Sequence, residues 1–199
     1  MTSQAPVPPY STADPLRVAV LTGSVRRDRI GHLITDWFAA VAAERSDVEL
    51  DVLDLAGIDL PLTDTPPGGN PHSPIGARLE AADGVVVVTP EYNHSFPAAL
   101  KNAIDHHYRE WARKPVAFVS YGGGSGGIRA VEQLRPVFAE LSAVTMRPGV
   151  VLSAPWQQLE TAGFRPDAAV AEAATATLDE LVWWAAALRT ARRTSGAAA

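Results

Sequence analysis

The chain has 199 residues, a length that fits one domain, and 47% of them are hydrophobic, enough for a sizeable core. A formal net charge of −5 gives no overall attraction to nucleic acid or anionic membranes, so an anionic ligand must be held by a local cluster. The absence of cysteine excludes disulfides, thiol catalysis and cysteine-ligated metal or iron–sulfur centres, and it suits a reducing, cytoplasmic setting. No run of about 18 apolar residues predicts a membrane span, and small molecules are the expected partners.

Residues 1–15 carry prolines at 6, 8, 9 and 15 and lack the basic start and apolar run of a signal peptide. They are expected to form a disordered arm before a single domain over 16–189. Arg17 to Thr22 is a β-branched run ended by Gly23-Ser24 and reads as the first strand. From His32, the residues Leu33, Ile34, Trp37, Phe38 and Val41 recur at helical spacing, and this helix is expected to end near Arg45. Val48 to Leu53 gives a second strand. Asp54 to Pro74 follows with five prolines, Gly68-Gly69 and little periodicity, which predicts a long loop.

A short helix over about 75–82 precedes four consecutive valines, Val85 to Val88. Their uniformly apolar character predicts a strand buried on both faces, as in a parallel sheet. Pro90 ends that strand, and the polar run Glu91 to Ser95 leads into a helix from Ala98 to Trp111, with Leu100, Ala103, Ile104, His107, Tyr108 and Trp111 on one stripe. Pro115 to Ser120 reads as the fourth strand. The glycine-rich segment Gly122 to Gly127 opens a helix bearing Ile128, Val131, Leu134, Val137, Phe138 and Leu141, in which Pro136 is expected to make a kink. Val144 to Leu152 contains the last strand, interrupted by Pro148-Gly149. Asp167 to Leu188 forms a final helix burying Leu178, Leu181, Val182 and Trp184, and residues 190–199 are expected to be a flexible tail.

Five strands alternating with helices predict an α/β, flavodoxin-like doubly wound parallel sheet in the order 2-1-3-4-5, with helices on both faces. In that order the first and third strands flank the point where the winding reverses. The loops after Thr22 and Thr89 then meet at one crevice, with the glycine loop after Ser120 beside them.

Each loop has its own chemistry. The first, Gly23 to Gly31, combines the Ser24 hydroxyl, Arg26, Arg27 and Arg29 with the free N–H groups of a helix start, a set suited to phosphate. The competing reading is a solvated basic turn. The second places Tyr92 and Asn93 beside closely spaced backbone amides, which suits a flat ring needing edge hydrogen bonds, although a structural turn has the same composition. The third, Ser120 to Gly127, lets backbone approach a ligand where glycine leaves no Cβ in the way. Phosphate at one end and a planar group at the other describe a mononucleotide.

Rival motifs are weaker. Gly122, Gly124 and Gly127 satisfy G-x-G-x-x-G, but the acidic ribose-binding residue needed about 20 positions on, at a following strand, has no good candidate. Gly123, Ser125 and Gly127 satisfy G-x-S-x-G, yet all five histidines precede Ser125, the wrong order for that hydrolase pattern. His106 and Glu110 stand an i, i+4 pair apart, beside His107, without a third metal ligand. His107 is expected to pack on the apolar stripe, and His106 and Glu110 to be solvated or to meet a partner subunit.

With these loops assembled, the sequence resembles the NAD(P)H-dependent FMN reductase family, which includes flavodoxin-like quinone, chromate and azo reductases. The resemblance covers about residues 17 to 155. It rests on Gly23-Ser24-Val25-Arg26, on Pro90-Glu91-Tyr92-Asn93-His94-Ser95 with Ala99 to Asp105, and on Ser120-Tyr121-Gly122-Gly123 with Gly126-Gly127. It implies that Ser24, Arg26 and the segment through Arg29, Ile30 and Gly31 hold the FMN phosphate. Pro90, Glu91, Tyr92 and Asn93 would line the isoalloxazine ring, and Ser120, Tyr121, Gly122 and Gly123 would close over its other edge. It further implies NADPH or NADH as reductant, a small-molecule acceptor, a homodimer or homotetramer, and no side-chain acid or base in catalysis. Members often have a glycine turn followed by Ser and Asn in the phosphate loop, where this chain has Asp28, Arg29 and Gly31. Arg29 either replaces those donors or faces the 2′-phosphate of NADPH, while Asp28 is expected to face solvent or pair with Arg27 or Arg29. A flavodoxin-type electron carrier and a flavin-free binding module are the alternatives.

Overall fold

The computed structural model describes residues 14–63 and 65–194; residues 1–13 of the expected arm and 195–199 of the expected tail lie outside them. Strands β1 (Leu16–Thr22), β2 (Val48–Asp54), β3 (Gly84–Pro90), β4 (Pro115–Gly122) and β5 (Val144–Ser153) form one sheet in the order β2-β1-β3-β4-β5. All four pairings are parallel. The valines of β3 explain its central place. Val85 and Val87 pack under one layer of helices, and Val86 and Val88 under the other, as the two-residue period of a strand requires. A fully buried valine contributes roughly 1.5–3 kcal/mol, and all four are completely buried.

Helix α1 (Gly31–Ala43) lays Ile34 and Phe38 on the Val86 and Val88 face, beside Leu178 and Leu181 of the last helix, α5 (Ala168–Thr194). On the opposite face, α2 (Gly76–Ala81), α3 (Ala98–Asp105) and α4 (Ile128–Glu140) contribute Leu79, Leu100, Ile104, Leu134 and Phe138. Register sets the functional edge. Thr22 stands opposite Val88 and Asp54, Thr89 opposite Ser120, and Pro90 opposite Tyr121. The chain therefore leaves β1, β3 and β4 at neighbouring points of the carboxyl edge, as their order predicts.

Four local features differ from the sequence reading or add to it. Helix α3 stops at Asp105 rather than Trp111, and a single 3-10 turn covers Arg109–Trp111. The Trp111 indole N–H points back to the carbonyls of Ile104 and His107, at 3.1 and 3.0 Å, occupying acceptors that a longer helix would use. Helix α5 runs past Leu188 to Thr194, so residues 190–194 are helical. Its last turns are fastened to the core because Arg189 and Arg192 both meet Asp83, each at 3.2 Å. A two-stranded antiparallel ribbon, β6 (Leu159–Glu160) with β7 (Gly163–Phe164), packs Phe164 edge-on to Trp37. Finally, helix α4 is continuous through Pro136.

Candidate functional site

The loop after β1 is drawn across the sheet edge. Gly23 N–H donates to Val88 O at 2.9 Å, and Ser24 is almost completely buried with its Oγ 2.7 Å from Tyr92 Oη. Arg26 is exposed and stacks on the Tyr92 ring, its guanidinium carbon 3.6 Å from the ring centre. Arg27 and Asp28 face solvent. Arg29 turns inward and pairs with Asp54 at the end of β2, Nη2 to Oδ2 at 2.6 Å. Ile30 caps α1 with no side-chain hydrogen bond, so the first N–H groups of the helix have no side-chain cap. Unpaired N–H groups at a helix start, with arginines beside them, attract anions.

The loop after β3 is a tight turn. Tyr92 and Ser95 exchange backbone bonds at 2.8 and 3.0 Å, and Asn93 and His94 sit at φ +50° and +70°. Asparagine and histidine tolerate this left-handed region better than bulkier residues. The turn consumes the N–H groups of Tyr92 and Ser95 and leaves those of Asn93 and His94 outside its own bonds. Glu91 N–H bonds Tyr121 O at 2.9 Å, tying the turn to β4.

The glycine loop closes the crevice. Gly127, at φ +87°, admits no Cβ, which would lie 2.7 Å from Tyr121 N. A Cβ on Gly123 or Gly124 would meet nothing within 4 Å, so backbone is open to a ligand there. Ser120 does not face the crevice with its side chain: the hydroxyl is buried and donates to Gly126 O at 2.9 Å, shaping the loop from within.

Helix α4 fastens the two loops together, through residues the sequence reading did not single out. Glu91, with 5% of its side chain exposed, pairs with Arg129 and accepts from Ser125 Oγ at 2.9 Å and Arg129 N–H at 3.2 Å. Burial opposes ionisation of Glu91, but these bonds outweigh it and hold the carboxyl below its usual range. One helical turn on, Gln133 donates to His94 O at 2.6 Å and accepts from Ser95 Oγ at 2.6 Å. The signal was the i, i+4 spacing of Arg129 and Gln133 on the polar face of the helix that follows the glycine loop.

The Tyr121 side chain extends toward α1. Its hydroxyl reaches the start of α1, where a Cβ on Gly31 would lie 2.6 Å from it. The histidine pair departs from expectation in part. His107 packs as anticipated, Nδ1 2.7 Å from Ala103 O and Nε2 2.7 Å from Ser73 Oγ, and burial lowers its proton affinity. His106 is not solvated: it is fully buried, with Nε2 3.0 Å from Pro61 O, because the proline-rich segment folds over it. Among the described residues no three His, Asp or Glu side chains gather as a metal would require.

Comparison with known proteins agrees with this geometry. The family model described as NADPH-dependent FMN reductase matches residues 16–158. The chain is 36% identical over 149 residues to an NAD(P)H-dependent FMN reductase of Schizosaccharomyces pombe, covering 68% of this chain and 73% of that one. It is 33% identical over 144 residues to a quinone reductase of Escherichia coli K12, covering 67% and 75%. Among solved structures, the flavoenzyme NAD(P)H:(acceptor) oxidoreductase of Paracoccus denitrificans superposes with a TM-score of 0.70 at 28% identity, over 85% of this chain and 97% of that one. With the loops, the sheet order and these matches in agreement, the chain belongs to the NADPH-dependent FMN reductase family.

Proposed function

We propose that the protein is an FMN-containing oxidoreductase that passes hydride from NADPH or NADH to a small-molecule acceptor, with quinones as the favoured class. The observation that carries this reading is the convergence, at one sheet edge, of a helix start without a side-chain cap beside Ser24, Arg26 and Arg29 with the open backbone at Gly123 and Gly124. One end fits a phosphate and the other a flat ring. The quinone preference draws on relatives named 2-hydroxy-1,4-benzoquinone reductase, from a Burkholderia species, and quinone reductase, from Escherichia coli.

In this reading, Ser24, Arg26, Arg29, Ile30 and Gly31 hold the phosphate through side chains and helix amides. Ser24 can accept from Tyr92 and still donate to a phosphate oxygen, since a hydroxyl does both. Pro90, Glu91, Tyr92 and Asn93 line the ring with backbone, and the segment from Ser120 to Gly123 borders its other edge. Bound FMN supplies the ring that takes hydride from the nicotinamide and delivers two electrons to the acceptor. The protein holds that ring and supplies N–H donors where negative charge develops on it. Glu91 is no candidate acid or base because Arg129 and Ser125 engage its carboxylate.

Purified protein, or apoprotein reconstituted with FMN, is expected to be yellow and to bleach on anaerobic addition of NADPH or NADH. Benzoquinone should restore the colour. Bound FMN that stays oxidised with both nucleotides would mark an electron carrier, and failure to bind FMN would overturn the reading. The proposal includes a homodimer or homotetramer in the cytoplasm, for which exposed Trp156 and Trp183 offer apolar surface; light scattering distinguishes these states. Among the described residues no helix is long and apolar enough to cross a membrane.

A further inference from the structure

Among the described residues, three buried side-chain polar atoms have no hydrogen-bond partner: Arg29 Nη1, His32 Nδ1 and Tyr121 Oη. Two of them are neighbours, since the charge of Arg29 acts on the Tyr121 phenol. Arg29 stands two positions before Gly31, the first residue of α1, and the space beside Gly31 Cα is taken by the Tyr121 hydroxyl. Buried polar groups are almost always paired, so an unpaired phenol and an unpaired guanidinium nitrogen at one helix start point to a ligand with several acceptor oxygens.

We propose that Tyr121 and Arg29 complete the phosphate site, each donating one hydrogen bond to the FMN phosphate from beneath the start of α1. The inference rests on the FMN reductase reading and adds a donor from β4 to a subsite otherwise built on the loop after β1. Tyr121 is 6% exposed, and its hydroxyl comes up against a helix start that no side chain caps. Ser24 lies near it without a hydrogen bond of normal geometry, and Ser24 Oγ meets Tyr92 Oη instead. The phenol therefore keeps its proton free to donate. Burial, reinforced by Tyr92 and Asp54, raises its proton affinity further, so it stays a donor at any physiological pH.

Arg29 is aimed by its neighbour. Asp54 accepts from Nη2 with Oδ2 and from the Ala56 N–H with Oδ1, at 2.6 and 3.1 Å. Both carboxylate oxygens of Asp54 are thus engaged, and Nη1 of the same planar fork is left for an anion. Gly31 is part of the device. A side chain at that position would collide with the phenol, so a loop that takes its donor from Tyr121 needs glycine there.

The test uses two ligands that differ only in the phosphate. Apoprotein is titrated with FMN and with riboflavin, followed by flavin fluorescence. Wild type should bind FMN more tightly than riboflavin. Tyr121→Phe should weaken FMN binding about tenfold, the value of one hydrogen bond to a charged group, and leave riboflavin unchanged. Arg29→Met should do the same, and the 31P resonance of bound FMN should move in both variants. Gly31→Ala should lower the melting temperature, and adding Tyr121→Phe should restore it by removing the colliding oxygen. An equal loss for both flavins, or no loss for either, overturns the assignment while leaving the reductase reading intact. A wild-type protein that binds neither flavin overturns both.

Discussion

Ser24 Oγ and Tyr92 Oη lie 2.7 Å apart, joining the loop after β1 to the loop after β3 across the point where the sheet reverses its winding. Ser24 is almost completely buried, so water cannot replace a lost partner. Tyr92→Phe should therefore cost about 1 kcal/mol of stability. The Phe ring keeps a face for Arg26, which separates the hydroxyl bond from the stacking. Urea denaturation measures the loss, and an unchanged midpoint would assign the hydroxyl pair no net value.

Two glycines of one loop should respond unequally to alanine. At Gly127, with φ +87°, a Cβ would meet Tyr121 N at 2.7 Å and Ser120 Cβ at 2.8 Å, neither of which can give way cheaply. Gly127→Ala is expected to cost at least about 2 kcal/mol through strain and collision. A Cβ on Gly124 would have nothing within 4 Å, and Gly124→Ala should stay within about 0.5 kcal/mol of wild type. Paired denaturation curves test the contrast; equal effects would mean the loop is not held in this conformation.

The clasp of Glu91 by Arg129 and Ser125 should be sensitive to acid. The folded protein holds the Glu91 carboxyl below its unfolded value of about 4.3. Its stabilisation is thus full above that value and is lost as pH falls through the lower folded value. Glu91→Gln should reduce stability at pH 7 by about 1–2 kcal/mol, toward the low end for charged hydrogen bonds because Arg129 is half exposed. Melting curves of both proteins between pH 7 and 3 should converge on the acid side. A gap independent of pH would assign the effect to shape rather than charge.

The sheet was legible because its signals are local: the run Val85 to Val88 can only be a strand covered on both faces, and the three polar or glycine-rich loops each follow an apolar run directly. Sheet order then brings Ser24, Tyr92 and the glycine loop together. What stayed hidden depends on distant partners. His106 read as solvated or facing a partner subunit because the carbonyl that engages it, Pro61 O, comes from a segment without periodicity. Arg192 read as part of a loose tail because its carboxylate partner, Asp83, lies 109 positions away. Alternation along β4 places Tyr121 on a face, but only the assembled fold brings its hydroxyl against Gly31.

Lys114 carries the last prediction. It is buried, and Nζ donates to Leu79 O at 2.5 Å and Glu80 O at 2.8 Å, closing the end of α2. Burial, with a contribution from the charge of Arg192, lowers its proton affinity to a pKa of about 8. In the unfolded chain a lysine holds its proton to about pH 10.4. Between those values the unfolded chain binds a proton that the folded chain does not, so stability rises with pH across the window. Below pH 8 both states are protonated and the penalty is constant, on the order of 3 kcal/mol. The neutral amine still has two N–H donors for its two carbonyls, so deprotonation removes the buried charge without leaving either acceptor unpaired. Lys114→Met lacks the titrating group. The stability of wild type relative to this variant should therefore climb by up to about 3 kcal/mol from pH 7.5 to 10.5, measured by urea denaturation at each pH. Loss of the two carbonyl bonds shifts the variant equally at every pH and drops out of that slope, so a flat difference would mean that Lys114 keeps the proton affinity of an exposed lysine.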